Sequence, residues 1–229
     1  MLPQADPLPC DTAPMEQYTP AFIGLGANVG QARSSLARAV SALGDLPGAS
    51  LAGVSRLYRT RPVGTVAQDD FLNAVVCLRV PAGASPASGA SVLLLQLKGL
   101  ERALGRVERE RWGPREIDLD LLLFGDQAVE VERPPAARSL DPTKVGGGWL
   151  TVPHPEASRR LFVLAPLADL EPDLRPPGWG RTVAEARAAA EEVAGPEAVV
   201  VVGEWDPQQR CWRSSDDPDL APGRGEETA

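Results

Sequence analysis

Apolar and polar positions alternate along this chain in blocks that predict a mixed α+β fold. Ala21–Leu25 is a short apolar run ahead of Gly26, the pattern of a buried strand. Beyond it Leu36, Ala39, Val40 and Leu43 fall at i, i+3, i+4 and i+7, an amphipathic helix ending at Gly44. Leu51–Tyr58 and Phe71–Val80 read as strands, the second by its β-branched and apolar content. The loop between them contains Pro and Gly and has no room for a crossover helix, so the two strands pair antiparallel. Val92, Leu95, Leu100 and Leu104 supply the apolar face of a second helix. Glu116–Phe124 alternates and then runs fully apolar, a strand with a polar end. The order β-α-β-β-α-β predicts a ferredoxin-like core, an antiparallel sheet with both helices packed on one face. A hairpin arm at Gln127–Glu132 and an irregular insert follow. Short helices are expected at Glu156–Leu161 and Val163–Leu170. A C-terminal helix over Thr182–Val193, with Thr182 at its N-cap, and a late strand at Ala198–Val202 complete the pattern.

The two ends differ from this middle. Residues 1–20 hold five prolines and three acids but no Lys or Arg. Pro fixes φ and lacks a donor, so residues 1–19 read as a disordered arm. Residues 207–229 read as a disordered acidic tail, leaving 20–206 as one folded domain. The net charge is −8, and positions 180–229 contribute 11 acids against 5 bases, so the acidity is mostly peripheral. That balance disfavours duplex nucleic acid as a partner but not a small anionic ligand met by a local basic cluster. One histidine and three widely separated cysteines exclude a closely spaced His/Cys zinc site and fit reduced cytoplasmic thiols. There is no apolar run long enough for a membrane helix and no signal-peptide pattern at the N-terminus. A cytoplasmic monomer acting on small molecules is the expectation.

Two places could carry chemistry. Gly24, Gly26 and Gly30 lie between a strand and a helix, where a dinucleotide fingerprint would sit. Their spacing is off, and the hairpin that follows is not a parallel crossover unit. The glycines then serve a tight strand-to-helix turn. The denser place is Arg106–Asp120. From Lys98 to Glu116 six bases face four acids, a basic stretch in an acidic protein. Asp118 and Asp120 are two apart on a strand, so both carboxylates project from one face, with Cα atoms roughly 6.6 Å apart. Such a pair suits two Mg²⁺ ions, and the guanidinium forks of Arg106 and Arg115 suit phosphate oxygens. An Asp-x-Asp on a solvated strand edge is the plainer alternative. Against it, the two acids interrupt an apolar strand, where carboxylates need cations or donors. His154, held between two prolines, is a further candidate phosphate donor.

Arg111–Leu122 (RWGPREIDLDLL) closely resembles the signature of the 6-hydroxymethyl-7,8-dihydropterin pyrophosphokinase family. IGLGANVG, YRTRPVG…FLNAVV and LTVPHP…RLFVLAPL agree with it in order and spacing, from about Ala21 to Trp205. The resemblance implies transfer of pyrophosphate from ATP to the pterin hydroxymethyl group in folate biosynthesis, with release of AMP. It implies Asp118 and Asp120 as ligands of two Mg²⁺ ions, and Arg106 and Arg115 as catalytic arginines on the ATP phosphates. Phe71 and Phe162 would sandwich the pterin ring, although both also suit core packing. Asn73 would read the pterin edge with backbone help from Thr60 and Val63, and Trp112 would close over the site. Glu101, Thr151, His154 and Arg160 would contact ATP. A ferredoxin-like RNA-binding module is the competing class; FLNAVVCLRV lacks the aromatic string such a module needs.

Overall fold

The computed structural model describes residues 17–61, 68–106, 114–138, 148–195 and 197–214. The chain runs β1 (Tyr18–Ala27), α1 (Ala32–Gly44), β2 (Ser50–Val54), β3 (Leu57–Thr60), β4 (Phe71–Pro81), α2 (Pro86–Ala103) and β5 (Asp118–Phe124). It continues through β6 (Val129–Glu132), β7 (Trp149–Val152), α3 (Leu161–Leu170), α4 (Val183–Ala194), β8 (Val199–Asp206) and β9 (Cys211–Ser214). The main sheet has the order β5-β1-β4-β3-β8-β9, with β2 also on β4, and its pairs are antiparallel. β6 and β7 form a separate ribbon. The expected α+β core is present, and the segment expected as a strand over Leu51–Tyr58 pairs antiparallel with β4.

Helices cover both faces of the sheet. Ile23, Leu25, Val76, Leu78 and Leu119 pack with Leu36, Val40 and Leu43 of α1 and Leu93 and Leu97 of α2. Phe22, Val75 and Leu122 pack on the other face with Val163 and Leu167 of α3 and Val183 at the start of α4. β1 is thus buried on both sides, which is why its sequence is a continuous apolar run rather than an alternation.

Several local expectations need correction. The single strand expected over Leu51–Tyr58 breaks in two at Ser55. The Ser55 hydroxyl accepts from the Val75 amide at 2.9 Å, a bond a regular ladder would give to a carbonyl. In α2 the buried stripe is Ala90, Leu93, Leu94, Leu97 and Glu101, whereas Val92 is 56% exposed. Ser85 caps this helix with Pro86 behind it, which fixes its start. The two short helices expected around 156–170 are one helix, α3, preceded by turns, because Arg160 is extended and starts the helix only at Leu161. Gly24 and Gly26 lie inside β1 rather than in a turn; the positive φ belongs to Gly30, at +62°.

Both domain limits shift outward. β1 starts at Tyr18, and Tyr18, Thr19 and Pro20 pair with Pro81, Val80 and Arg79. At the other end β9 lies within the span expected to be an acidic tail. The Asp206 carboxylate accepts from the Gln208 and Gln209 amides and shapes a tight turn, so polar residues there mark a hairpin. Trp212 is 2% exposed, and its indole N–H donates to the Ser55 carbonyl at 2.9 Å. Arg33 of α1 donates to the carbonyls of Val202 and Trp212, tying the hairpin to the core. The rest of the expected arm and tail, 1–16 and 215–229, lies outside the described residues. Among the described residues no helix is long and apolar enough to cross a membrane.

Candidate active site

The ends of β5, β1, β4 and β3 lie side by side and present one face. Gly26 stands between Asp118 on β5 and Asn73 on β4, and Gly24 between Asp120 and Val75. Residues directly opposite in antiparallel strands share a face, so the two carboxylates and Asn73 flank a strip that has no side chains. A Cβ on Gly26 would come within 3.3 Å of Asn73 Oδ1, and one on Gly24 within 3.3 Å of the Leu122 side chain. The glycines keep the sheet surface open between the acids and the amide.

At the acidic end, Arg106 donates to Asp118 Oδ1 at 2.6 Å and Arg115 donates to Asp118 Oδ2. Burial would raise the Asp118 carboxyl, but Arg115 and Arg106 outweigh it and hold that carboxyl below the usual range. Arg106 stays charged: burial acts against its charge, and the carboxylates of Asp118, Glu101 and Asp120 overcome that cost. The same guanidinium also donates to Glu101 Oε1. Glu101 is 3% exposed, and this one oxygen further accepts from Lys98 at 2.8 Å and from the Leu119 amide at 2.7 Å. Burial pushes the Glu101 carboxyl up, against the pull of Lys98 and Arg106. Glu101, implied as an ATP contact, is therefore held inward as an anchor for Arg106 and β5.

On the opposite side, Asn73 Nδ2 donates to the Thr60 hydroxyl at 2.8 Å, and both residues are buried. Phe71 is half-buried two residues before Asn73 on the same face of β4. Phe162 lies in the first turn of α3, with the Arg160 guanidinium 5.8 Å from its ring centre. Val63 and Trp112 lie outside the described residues.

Around β5 a cleft of about 160 Å³ brings Lys98, Asp120, Thr151 and His154 together with Leu94, Arg133 and Trp149. His154 donates its amide to the Leu122 carbonyl, and its Nδ1 accepts from the Glu156 amide at 3.2 Å. That leaves Nε2 as the protonated nitrogen of a neutral ring. Burial, with Arg160 and Arg133, lowers the imidazole pKa below its ordinary 6.5 despite Asp120. Arg160 reaches Glu156 at 4.0 Å.

Spacing alone assigned no role to Asn28, Lys98, Arg133 or Trp149. Lys98 could have been found one helical turn before Glu101, and Trp149 two residues before Thr151 on one strand face. Asn28 gives no such signal, since its partners lie 40 to 87 positions away.

The described residues contain no group of three or more His, Cys, Asp or Glu able to hold a metal. The donor set is two half-buried carboxylates beside cationic phosphate ligands. That fits Mg²⁺, a hard cation usually held by one or two carboxylates together with substrate phosphates. It does not fit a metal caged by protein alone.

Residues 22–172 match the family model described as 7,8-dihydro-6-hydroxymethylpterin-pyrophosphokinase. A 2-amino-4-hydroxy-6-hydroxymethyldihydropteridine pyrophosphokinase of Synechocystis is 36% identical over 168 residues, covering 73% of this chain and 74% of that protein. The enzyme of the same description from Pseudomonas aeruginosa is 39% identical over 168 residues, covering 73% and 90%. Among solved structures, a Plasmodium falciparum HPPK-DHPS chain superposes with a TM-score of 0.64 at 14% identity and supports the fold. It matches 88% of this chain, which spans about half (52%) of that longer one. β8 and β9 lie beyond the part matched by the family model. The chain belongs to the 7,8-dihydro-6-hydroxymethylpterin-pyrophosphokinase family.

Proposed function

We propose that Asp118, Asp120, Arg106 and Arg115 form the transfer centre for the reaction of this family. The chain is a diphosphokinase of folate biosynthesis that moves pyrophosphate from ATP to the hydroxymethyl group of 6-hydroxymethyl-7,8-dihydropterin. The convergence of Arg106 and Arg115 on opposite oxygens of Asp118, two residues from Asp120, carries this assignment.

The pterin lies over the glycine strip, with Asn73 and Thr60 reading its edge and Phe71 and Phe162 on its faces; the family resemblance assigns Val63 and Trp112 to the same substrate. A side-chain amide can both donate and accept, as a pterin edge requires, and aromatic rings hold the flat heterocycle. ATP occupies the cleft beside β5, with Lys98, Thr151, His154 and Arg160 on its polar groups. The pterin hydroxyl oxygen attacks the β-phosphorus, the bond from that phosphorus to the α-phosphate oxygen breaks, AMP leaves and the hydroxyl proton is released. Arg106 and Arg115, both in contact with Asp118, stand where they can meet the charge that develops on the phosphates. Glu101 acts through Arg106 by holding its guanidinium at the edge of β5. Two Mg²⁺ ions, held by Asp118 and Asp120 with substrate phosphates, would supply the positive charge that offsets the polyphosphate. Little covalent chemistry falls to the protein, so positioning and charge do most of the work. The reading extends to a cytoplasmic monomer whose partners are these two small molecules.

Replacing either acid tests the assignment. Asp118→Ala and Asp120→Ala should each abolish Mg²⁺-dependent turnover while the circular dichroism of the fold is kept. Near-wild-type activity in either variant would overturn the two-carboxylate centre.

A further inference from the structure

The nucleotide cleft is crowded with polar groups suited to phosphates, and Trp149 is the one indole among the described residues that line it. It opens β7, lines the cleft, and is 53% exposed, unusual for the largest apolar side chain. Leu150 and Val152 point into the core, so Trp149 and Thr151 share the opposite face of β7, two residues apart. That spacing is about 6.6–6.8 Å along a strand. Any nucleotide whose phosphates or ribose meet Thr151 therefore has the indole beside it.

The backbone at this position is fixed although the side chain is open. Arg133 donates its amide to the Gly148 carbonyl and its Nε to the Trp149 carbonyl, each at 2.7 Å. Trp149 also pairs with Glu132 across the ribbon. Leu94 of α2 adds an apolar patch to the same cleft. A pre-positioned, solvent-facing indole beside an apolar patch and cationic side chains suits a purine nucleoside polyphosphate.

We propose that Trp149 is the stacking platform for the purine base of the nucleotide substrate. This rests on the reading that ATP occupies the cleft beside β5. Stacking needs the aromatic face rather than the indole N–H, so phenylalanine should substitute and alanine should not.

The test uses the full chain and measures binding by calorimetry in Mg²⁺, with α,β-methylene ATP and inorganic tripolyphosphate as probes. Trp149→Ala should bind the ATP analogue about tenfold more weakly or worse, from the usual worth of one base stacked on an aromatic ring. Trp149→Phe should stay within about threefold of wild type, and tripolyphosphate should bind all three proteins alike. Analogue binding unchanged by Trp149→Ala, but weakened by Asp120→Asn, would overturn the stacking role and leave the cleft as the nucleotide site. Binding that withstands both substitutions would overturn the cleft assignment and the proposal with it. Equal losses of analogue and tripolyphosphate in Trp149→Ala would mean that Trp149 supports the cleft instead of the base, and would also refute it.

Discussion

Asn28 and Arg115 hold each other through two hydrogen bonds. The Arg115 amide donates to Asn28 Oδ1 at 2.7 Å, and the Asn28 amide donates to the Arg115 carbonyl at 2.9 Å. Asn28 Nδ2 then donates to Gln68 Oε1 at 3.0 Å and to the Asp69 carbonyl at 3.1 Å. One buried amide thus joins the end of β1 to the segments leading into β4 and β5, which carry Phe71, Asn73, Arg115 and Asp118.

Asn28→Ala should therefore damage both stability and rate. It strips the Arg115 amide and the Asp69 carbonyl of a partner, and a hydrogen bond of this kind is worth about 0.5–1.5 kcal/mol. Urea denaturation should show a loss of that order, and kcat should fall because Arg115 is no longer held in register with Asp118. A variant with wild-type stability and kcat would show that the joint is incidental.

Arg115→Ala separates rate from folding. The Arg115 side chain is 31% exposed, and Asp118 keeps Arg106 as a partner. An arginine that meets charge developing during phosphoryl transfer is worth about 10³-fold in rate. We expect a fall of that order in kcat with a melting temperature close to wild type. A collapsed melting temperature would mark Arg115 as a structural partner of Asp118.

His154 is the single histidine of the chain, so its imidazole gives one resolvable NMR signal. Burial, helped by Arg160 and Arg133, should place its midpoint in the folded protein below 6.5. The sign for stability follows. Above the ordinary histidine value both states are neutral and the contribution to stability is full. As the pH falls from there toward the lowered folded value, the unfolded chain takes up the proton first and stability is lost. A folded-state midpoint above 6.5 would show that Asp120 dominates the site.

The C-terminal hairpin is structural despite lying beyond the family match. Ending the chain after Asp206 removes β9 and with it Trp212, whose indole packs edge-on against Trp205 with ring centres 4.7 Å apart. Trp212→Ala should cost about 3–5 kcal/mol in chemical denaturation, the usual range for a buried tryptophan. A chain ending at Ser214 should keep the stability that one ending at Asp206 loses. Equal unfolding curves for the two would contradict the packing role.

Much of this was legible in the sequence, and the gaps have physical causes. The lack of room for a helix between Arg59 and Phe71 was enough to predict the antiparallel hairpin of β3 and β4. Asp118 and Asp120 declared themselves because carboxylates interrupt an apolar strand. The buried face of α2 did not, since the segment from Val92 to Leu104 offers two apolar stripes, and the position of β5 decides between them. Glu101 lies on the buried stripe, and its hold on Arg106 and β5 shows only once Lys98, Arg106 and the Leu119 amide are seen around it. β9 is four residues in polar surroundings, and only its pairing with β8 and the pocket for Trp212 make it a strand. Asn28 depends on partners from two distant segments, Gln68–Asp69 and Arg115, a relation that no local pattern encodes.

The identity of the released nucleotide tests the central claim most directly. The protein is incubated with ATP, Mg²⁺ and 6-hydroxymethyl-7,8-dihydropterin, and the products are followed by ³¹P NMR. The site predicts one AMP for each pterin consumed, with two coupled phosphorus signals from a pyrophosphate ester on the hydroxymethyl group. Release of ADP with a single phosphate on the pterin, or release of AMP that does not depend on the pterin, would contradict it.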